Sequence, residues 1–463
     1  MQLFTADYVF LGRRFVPDAA VLVDPEGRIA AAGPGVEVDA RPDAAGAERV
    51  ALAGCALLPG CVNSHTHTFQ VLLRGSGDNA ANFRDWVDGH LYPLVERLDQ
   101  AALVAAATLA YAEMALSGTT AVGEFFYVHR GAAEASGGNS HAEAVIAAGR
   151  RVGLRMALLR TMYDRGSKPG QERFRETVGE AVENTRRLRE AFAEDPHVRV
   201  LPAPHSLHGA SESMVRAGAA LAEEFDSPFH IHLAEQRGDV AFARDEYATS
   251  PLRALNRMGA LSARTVVVHG IWLDAGERQL LAERGGALAY NPLTNMALGD
   301  GIAEVADLLA RGVVLSLGTD ANNRLNLFDE MRAAEYLQRV SRLEMGIVPG
   351  AVADSRGSAL PLFEMGTRGG GRALGLDCGR IEPGAWADLV AVDLRDPSLL
   401  PGALAGGDAL LNQIVYSMVA QTAVRHSWVA GRPLVVDGRL ANVSLDDVCR
   451  QVAEAVAGSQ QTP

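Results

Sequence analysis

The chain has 463 residues, 48% apolar and 21% charged, which is enough to bury a large core and unlike a disordered or fibrous protein. Its formal net charge is −13, from 43 basic and 56 acidic residues, and no block of Lys or Arg relieves it, which argues against nucleic acid or an anionic membrane as partner. The four cysteines (Cys55, Cys61, Cys378, Cys449) are scattered, no apolar run is long enough to span a bilayer, and the N-terminus lacks a signal-peptide pattern, so a reducing, cytoplasmic setting is expected.

Residues 1–56 read as short strands and turns. Tyr8 to Phe15 and Ala20 to Val23 are strand-like, and Asp24-Pro25-Glu26-Gly27 reads as a hairpin turn before Arg28 to Ala31. From residue 57 to about 325, apolar strand-like runs alternate with longer amphipathic ones, the order of an α/β fold with parallel strands. Eight strands are expected, ending near Ser64, Phe126, Tyr163, His205, Glu235, Leu273, Thr294 and Asp320. Between them lie helical stretches such as Leu98 to Leu116, Arg173 to Phe192, Glu212 to Phe225 and Glu277 to Glu283. Gly118 and Gly153 follow helical runs, as C-cap glycines do. Gly131 to Ser140 and Asp164 to Gln171 read as loops, the second near the mouth of the fold.

Eight strand–helix units predict a (β/α)8 TIM-like barrel over residues 57–375. Beyond it the pattern changes. Ala385 to Val392 reads as a buried strand, Val424 to Pro433 as strand, turn, strand, and Leu445 to Gly458 as a closing helix with a disordered tip. Segments 1–56 and 376–463 are expected to form one small β-sandwich beside the barrel.

Chemistry-bearing residues concentrate at the expected strand ends. Cys61 to His67 ends in His65-Thr66-His67, and alternate residues of a strand point the same way, so the two imidazoles project together. Paired neutral imidazoles suit a zinc-like ion. Other ends carry His205, His230-Ile231-His232-Leu233-Ala234-Glu235, His269 and Thr319-Asp320. Each has a plainer role: a lone histidine serves as a structural residue, Thr-Asp caps a helix, Glu235 is a solvated turn residue. Five such ends around one barrel mouth favour a metal site. His232-x-x-Glu235 lets an imidazole bind the ion while the carboxylate lies beside a water. His230 is expected deeper in the barrel, in a structural role, and His129, His141 and His197 at the surface.

Pro59 to His67, His232 to Glu235, Val268-His269 and Gly318-Thr319-Asp320 resemble the amidohydrolase superfamily, over nearly the whole chain. The resemblance is to the mononuclear aminohydrolases, since His205 stands where a carboxylated lysine of the binuclear type is expected. His67 to Gln70, Glu124 to His129, Ala203 to Leu207 and Leu298 to Ile302 look most like N-formimino-L-glutamate deiminase. Leu72 to Gly75, Asp85-Trp86 and Gly318 to Arg332 are similar to S-adenosylhomocysteine and methylthioadenosine deaminases. The arginines that hold the deiminase substrate's carboxylates are replaced by His208 and Val87, which leaves a dianionic tail poorly paired. Asp88 falls near a substrate-binding acid of the adenosine-type enzymes.

The resemblance implies one divalent metal ion on His65, His67, His232 and Asp320, with zinc the first choice and Fe2+ or Mn2+ able to use similar donors. It implies that Asp320 accepts a proton from the attacking water, His269 orients that water, and Glu235 shuttles the proton to the imine nitrogen and the leaving amine. Gln70, Tyr127 and His205 become candidate substrate contacts. The implied reaction releases ammonia from an amidine-like carbon of a small molecule. Removal of a halide or alkylamine from an s-triazine is the alternative, and a non-catalytic scaffold the remote one. A homodimer is compatible with this reading.

Overall fold

The computed structural model describes residues 1–131, 138–348 and 357–460. The repeated apolar runs in the middle of the chain form eight parallel strands in two sheets. The first sheet holds β5 (Cys61–Thr66), β6 (Thr119–Phe126), β7 (Arg155–Met162) and β8 (Val198–Pro204) in order; β1 to β4 belong to the N-terminal segment. The second holds β9 (Phe229–Leu233), β10 (Thr265–His269), β11 (Ala287–Tyr290) and β12 (Val314–Leu317). Single parallel bridges, Ser206 with His232 and Thr66 with Asp320, join the sheets at both edges. Strands β6 and β7 are buried along their whole length, the mark of a sheet covered on both faces.

Two strands end earlier than the apolar pattern suggests. β10 stops at His269, four residues before Leu273, because His269 and Gly270 both take left-handed backbone (φ 73° and 62°). β11 stops at Tyr290, because Pro292 opens a short helix, Pro292–Ala297, where a missing N–H costs nothing.

The helices follow local capping chemistry. Gln100–Leu116 starts where Asp99 accepts the Ala102 N–H, and the chain turns out of it at Gly118 (φ 90°). Val178–Ala191 begins five residues later than expected, because Thr177 and Glu180 form a reciprocal capping box. Glu212–Glu224 and Ala275–Glu283 lie close to their predicted positions. Of the loop predicted over 131–140, residues 132–137 lie outside the described residues, and Ser140 already opens the helix Ser140–Val152. The closing helix is Leu445–Gln460, and its expected tip, 461–463, also lies outside them. No helix among the described residues is long and apolar enough to cross a membrane.

The two ends of the chain share one eight-stranded sheet. β1 (Gln2–Leu11), β2 (Arg14–Val23), β3 (Ile29–Pro34) and β4 (Glu48–Pro59) join β13 (Leu389–Asp393), β14 (Val424–Val429), β15 (Arg432–Val436) and β16 (Arg439–Leu440). The order is β16-β15-β14-β13-β4-β1-β2-β3. The run Tyr8 to Phe15 is split by a two-residue turn, Gly12-Arg13 (φ 53° and 69°), which satisfies the geometry of a tight hairpin. The sheet curls strongly. β1 and β14 are three positions apart, about 14 Å in a flat sheet, yet the rings of Phe4 and Trp428 are 5.0 Å apart.

This sheet is tied to the parallel strands by covalent continuity and by charge. β4 runs into β5 through Gly60, where a Cβ would lie 2.0 Å from Thr120 Oγ1, so no side chain fits. Arg155, at the start of β7, donates two hydrogen bonds to Asp388 (2.7 and 3.0 Å), both side chains being fully buried. The guanidinium groups of Arg28 (4.0 Å) and Arg155 (4.4 Å) both lie over the Trp386 ring.

Candidate metal centre and active site

Parallel pairing carries one end of every middle strand to the same side, and the polar residues expected there converge. Asp320 is the hub. Its Oδ1 lies 3.4 Å from His65 Nε2 and 3.3 Å from His67 Nε2, and its Oδ2 lies 3.8 Å from His269 Nε2. His232 Nε2 is 3.1 Å from His65 Nε2, and Glu235 Oε1 is 3.6 Å from His269 Nε2. All six side chains are nearly or wholly buried. One donor atom from each of His65, His232, His269 and Asp320 fits within 4.8 Å of the others; His67 lies just outside that tightest set.

Backbone carbonyls set the imidazole tautomers. His67 Nδ1 donates to Phe125 O (2.8 Å) and His232 Nδ1 to His205 O (2.9 Å). Their Nε2 atoms are then lone pairs, aimed at a carboxylate and at another imidazole. Burial pushes His65 down to about 3 and His232 well below its ordinary value, so both rings are neutral. Burial alone would raise Asp320, but its imidazole neighbours, His65 and His67 first, outweigh it and set the carboxyl well below its ordinary range. Lone pairs facing a carboxylate across 3.3–3.4 Å repel unless a cation lies among them. The donor set of imidazoles and one carboxylate fits a single divalent ion.

The backbone that aims these groups is unusual. Ala234, His269, Asp320 and Asn322 all have positive φ (52°, 73°, 46° and 63°). Left-handed backbone is costly for residues other than glycine, and it gathers at functional sites. The kink at Ala234 is held by Asp239, whose Oδ2 accepts the Glu235 and Gln236 N–H groups (3.0 Å each). Burial, and then Asp300 and Asp320, push the Glu235 carboxyl well above its ordinary range, the direction that suits a proton donor.

A supporting layer went unread in the sequence. Asn295 Nδ2 lies 3.1 Å from His269 Nδ1 and 2.7 Å from Asp300 Oδ2. Donation to Asp300 fixes the amide, so His269 Nδ1 accepts and its Nε2–H points to the centre. The signal was the Asn291-Pro-Leu-Thr-Asn295 run, which looks like a strand end because it follows an apolar stretch. Glu124 sits behind His67, accepts the Thr68 N–H (3.1 Å), and is pushed by burial up to about 7.

The cavity over this cluster is lined by Phe83, Trp86, Tyr92, Tyr127, Tyr163 and Phe174, and also by Gln70, His205, His208 and Val87. Among the described residues, no arginine or lysine lines it. Gln70 Nε2 donates to Tyr127 Oη (2.9 Å), which leaves the buried Gln70 Oε1 without a partner. The His205 ring meets Tyr163 edge-to-face at 4.8 Å and contacts the His232 ring at 4.9 Å. Asp88 lies further out, paired with Lys168 at 2.5 Å, and His208 is paired with Asp239 at 3.2 Å.

Three histidines expected at the surface are buried. His129 bonds Thr161 O (2.8 Å), His141 bonds Val128 O (3.1 Å), and His197 packs on Trp386. Their flanking polar residues hide these contacts in the sequence. His230 bonds Ala373 O (2.8 Å) in the interior, away from the cavity.

Comparison with known proteins agrees with this geometry. Residues 56–434 match the model of the amidohydrolase family. The chain belongs to that family. It is similar to a 5'-deoxyadenosine deaminase of Methanothermobacter thermautotrophicus, 35% identical over 75% of this chain and 76% of the relative. It is also similar to a 5-methylthioadenosine/S-adenosylhomocysteine deaminase of Syntrophobacter fumaroxidans, 32% identical over 95% and 93% of the two chains. Among solved structures, a zinc-bound adenosine deaminase from Xanthomonas campestris superposes with a TM-score of 0.85 at 28% identity, covering 100% and 99% of the chains. This family member is a metal-dependent hydrolase of carbon–nitrogen bonds other than peptide bonds, of the deaminase kind.

Proposed function

We propose that the chain deaminates an adenosine derivative, with zinc held by His65, His67, His232 and Asp320. The observation that carries this reading is the convergence of imidazole lone pairs on Asp320 beneath a cavity walled by aromatic rings. Such walls suit a flat heteroaromatic ring whose amidine carbon faces the cluster. The unpartnered Gln70 Oε1 would accept an N–H of that ring. Formiminoglutamate fits poorly: the lining offers no guanidinium or ammonium to its carboxylates, and His208 is already engaged by Asp239.

When bound, the ion would lower the pKa of water enough to make it a nucleophile near neutral pH. Asp320 accepts the proton that the attacking water gives up. His269, its Nδ1 held by Asn295, donates from Nε2 to the attacking oxygen. Glu235 delivers its proton to the ring nitrogen beside the carbon under attack; the proton held by Asp320 goes to the departing amine, and the one released as the attacking oxygen becomes a carbonyl restores Glu235. The same reading takes β5–β12 (residues 57–375) as a closed (β/α)8 barrel and segments 1–56 and 376–463 as a β-sandwich, supported by the bridges at both sheet edges and by the curl that brings Phe4 to Trp428. It includes a cytoplasmic enzyme acting on small molecules, as a homodimer.

The test is ammonia release by zinc-loaded enzyme across 5'-deoxyadenosine, methylthioadenosine, S-adenosylhomocysteine, formiminoglutamate and an s-triazine. The adenosine compounds should give the highest kcat/KM. Turnover of the triazine alone would install the alternative reading instead.

A further inference from the structure

A second polar cavity opens at the other end of the parallel strands, where the curled sheet meets them. Its volume is 710 Å³, and its charged lining is Arg28, Arg189, Arg199, Arg372 and Arg380 against Asp195 and Asp377. On a chain of net charge −13, this is a local excess of positive charge. Arg199 begins β8, six residues before His205, so the cavity lies about 20 Å from the catalytic cluster at 3.3 Å per residue.

The arginines divide by what they touch. Arg28 and Arg380 are neutralised by Asp377, at 3.2 and 2.5 Å. Asp195 is engaged by Arg150 at 3.1 Å, from outside the lining. Among the described residues, Arg189 donates to Phe225 O (3.1 Å) and lies over the Phe225 ring (4.4 Å), and Arg199 donates to Asp226 O (3.2 Å). The Asp226 carboxylate is taken by Arg264 at 2.7 Å. Arg199 Nε is shut off from solvent with no acceptor. Burial, and then the charge of Arg189, hold Arg199 below its ordinary range against the opposing pull of Asp226. Arg372 is exposed at the same rim.

We infer that this cavity binds a multiply charged oxyanion of the oligophosphate class, taken up by Arg189, Arg199 and Arg372. Guanidinium forks pair with phosphate oxygens two bonds at a time, and such charge-assisted bonds are the strong ones. An anion here would pair with the outer guanidinium nitrogens and offset the unfavourable effect of the Arg189 charge on Arg199. Free pyrophosphate or triphosphate and the phosphate chain of a nucleotide present the same chemistry.

The experiment is calorimetric titration of zinc-loaded enzyme with pyrophosphate, triphosphate, ATP and citrate at low salt. Saturable binding of one pyrophosphate or triphosphate per chain is expected, weakened by added salt. Equal affinity for ATP and triphosphate would assign recognition to the phosphates alone; tighter ATP binding that Arg199→Lys weakens would add a contact to the nucleoside at this cavity, whereas uptake in the catalytic cavity would be indifferent to that substitution. Arg199→Lys keeps the charge but loses the fork, and should weaken binding about tenfold, the equivalent of one lost charge-assisted bond. Arg372→Ala, at an exposed position, should weaken it with no change in melting temperature. Neither variant should alter deamination without added anion. Absence of saturable binding, or binding indifferent to both substitutions, would overturn the inference. Citrate binding as tight as triphosphate would overturn the phosphate assignment.

Discussion

Two buried charged clusters sit at the same end of the parallel strands and are built on opposite terms. Near the end of β7, Arg160 meets Glu176 in two hydrogen bonds (2.7 and 2.9 Å), with Asn184 and Asn139 completing the set. Burial would raise Glu176, but His129 and Arg160 outweigh it and hold the carboxyl at about 2. Among His65, His67, His232 and Asp320, by contrast, lone pairs face one another, Glu235 is pushed up, and the backbone takes left-handed turns. Equal burial thus has two uses. Complete pairing yields a brace, and incomplete pairing beside a cavity yields a site that a cation and a substrate can finish.

The contrast can be broken from either side. The largest effect belongs to the open cluster. Glu235→Gln should lower kcat by about 10²–10⁴ with bound metal retained and the melting temperature unchanged or higher; near-wild-type turnover would remove the proton shuttle. On the paired side, Glu176→Gln leaves the Arg160 charge buried without its counter-ion. It should cost about 3–5 kcal/mol in urea unfolding, while the surviving folded enzyme keeps its metal and its KM.

A smaller effect sharpens the same distinction through pH. Burial pulls His129 down to about 4, below its ordinary 6.5. The unfolded chain therefore binds a proton that the folded one refuses. Stability from this group is complete above about pH 6.5 and drains away as pH falls toward 4. Between pH 7.5 and 5 the wild type should lose on the order of 1–2 kcal/mol from this residue, and His129→Gln should flatten that slope. Least of all, Tyr127→Phe frees the Gln70 amide. We expect KM to rise about three- to tenfold with kcat nearly unchanged, the scale of one neutral hydrogen bond.

The fold was legible where periodicity is strong. All eight parallel strands and most helix positions follow from apolar runs and capping residues. Errors arose where one backbone angle decides the outcome: Arg13 splitting an apolar run, or His269 ending β10 at φ 73°. The candidate ligands were legible because His65, His67, His232 and Asp320 sit at strand ends, where spacing alone implies direction. Asn295 and Asp300 were hidden because Asn295 matters by touching His269 and Asp300 by fixing Asn295, contacts that no spacing encodes. His129, His141 and His197 failed for the reverse reason: short polar surroundings looked solvated, and tertiary packing closed over them.

The central claim is that these strand-end side chains together hold one divalent ion. It is tested most directly by elemental analysis of the purified protein, with His65→Ala and Asp320→Ala measured alongside. We predict one zinc per chain in the wild type and background levels in both variants, with the circular dichroism of the wild type preserved. Stoichiometric metal retained after loss of His65 and Asp320, or none in an enzyme that still releases ammonia, would contradict the account.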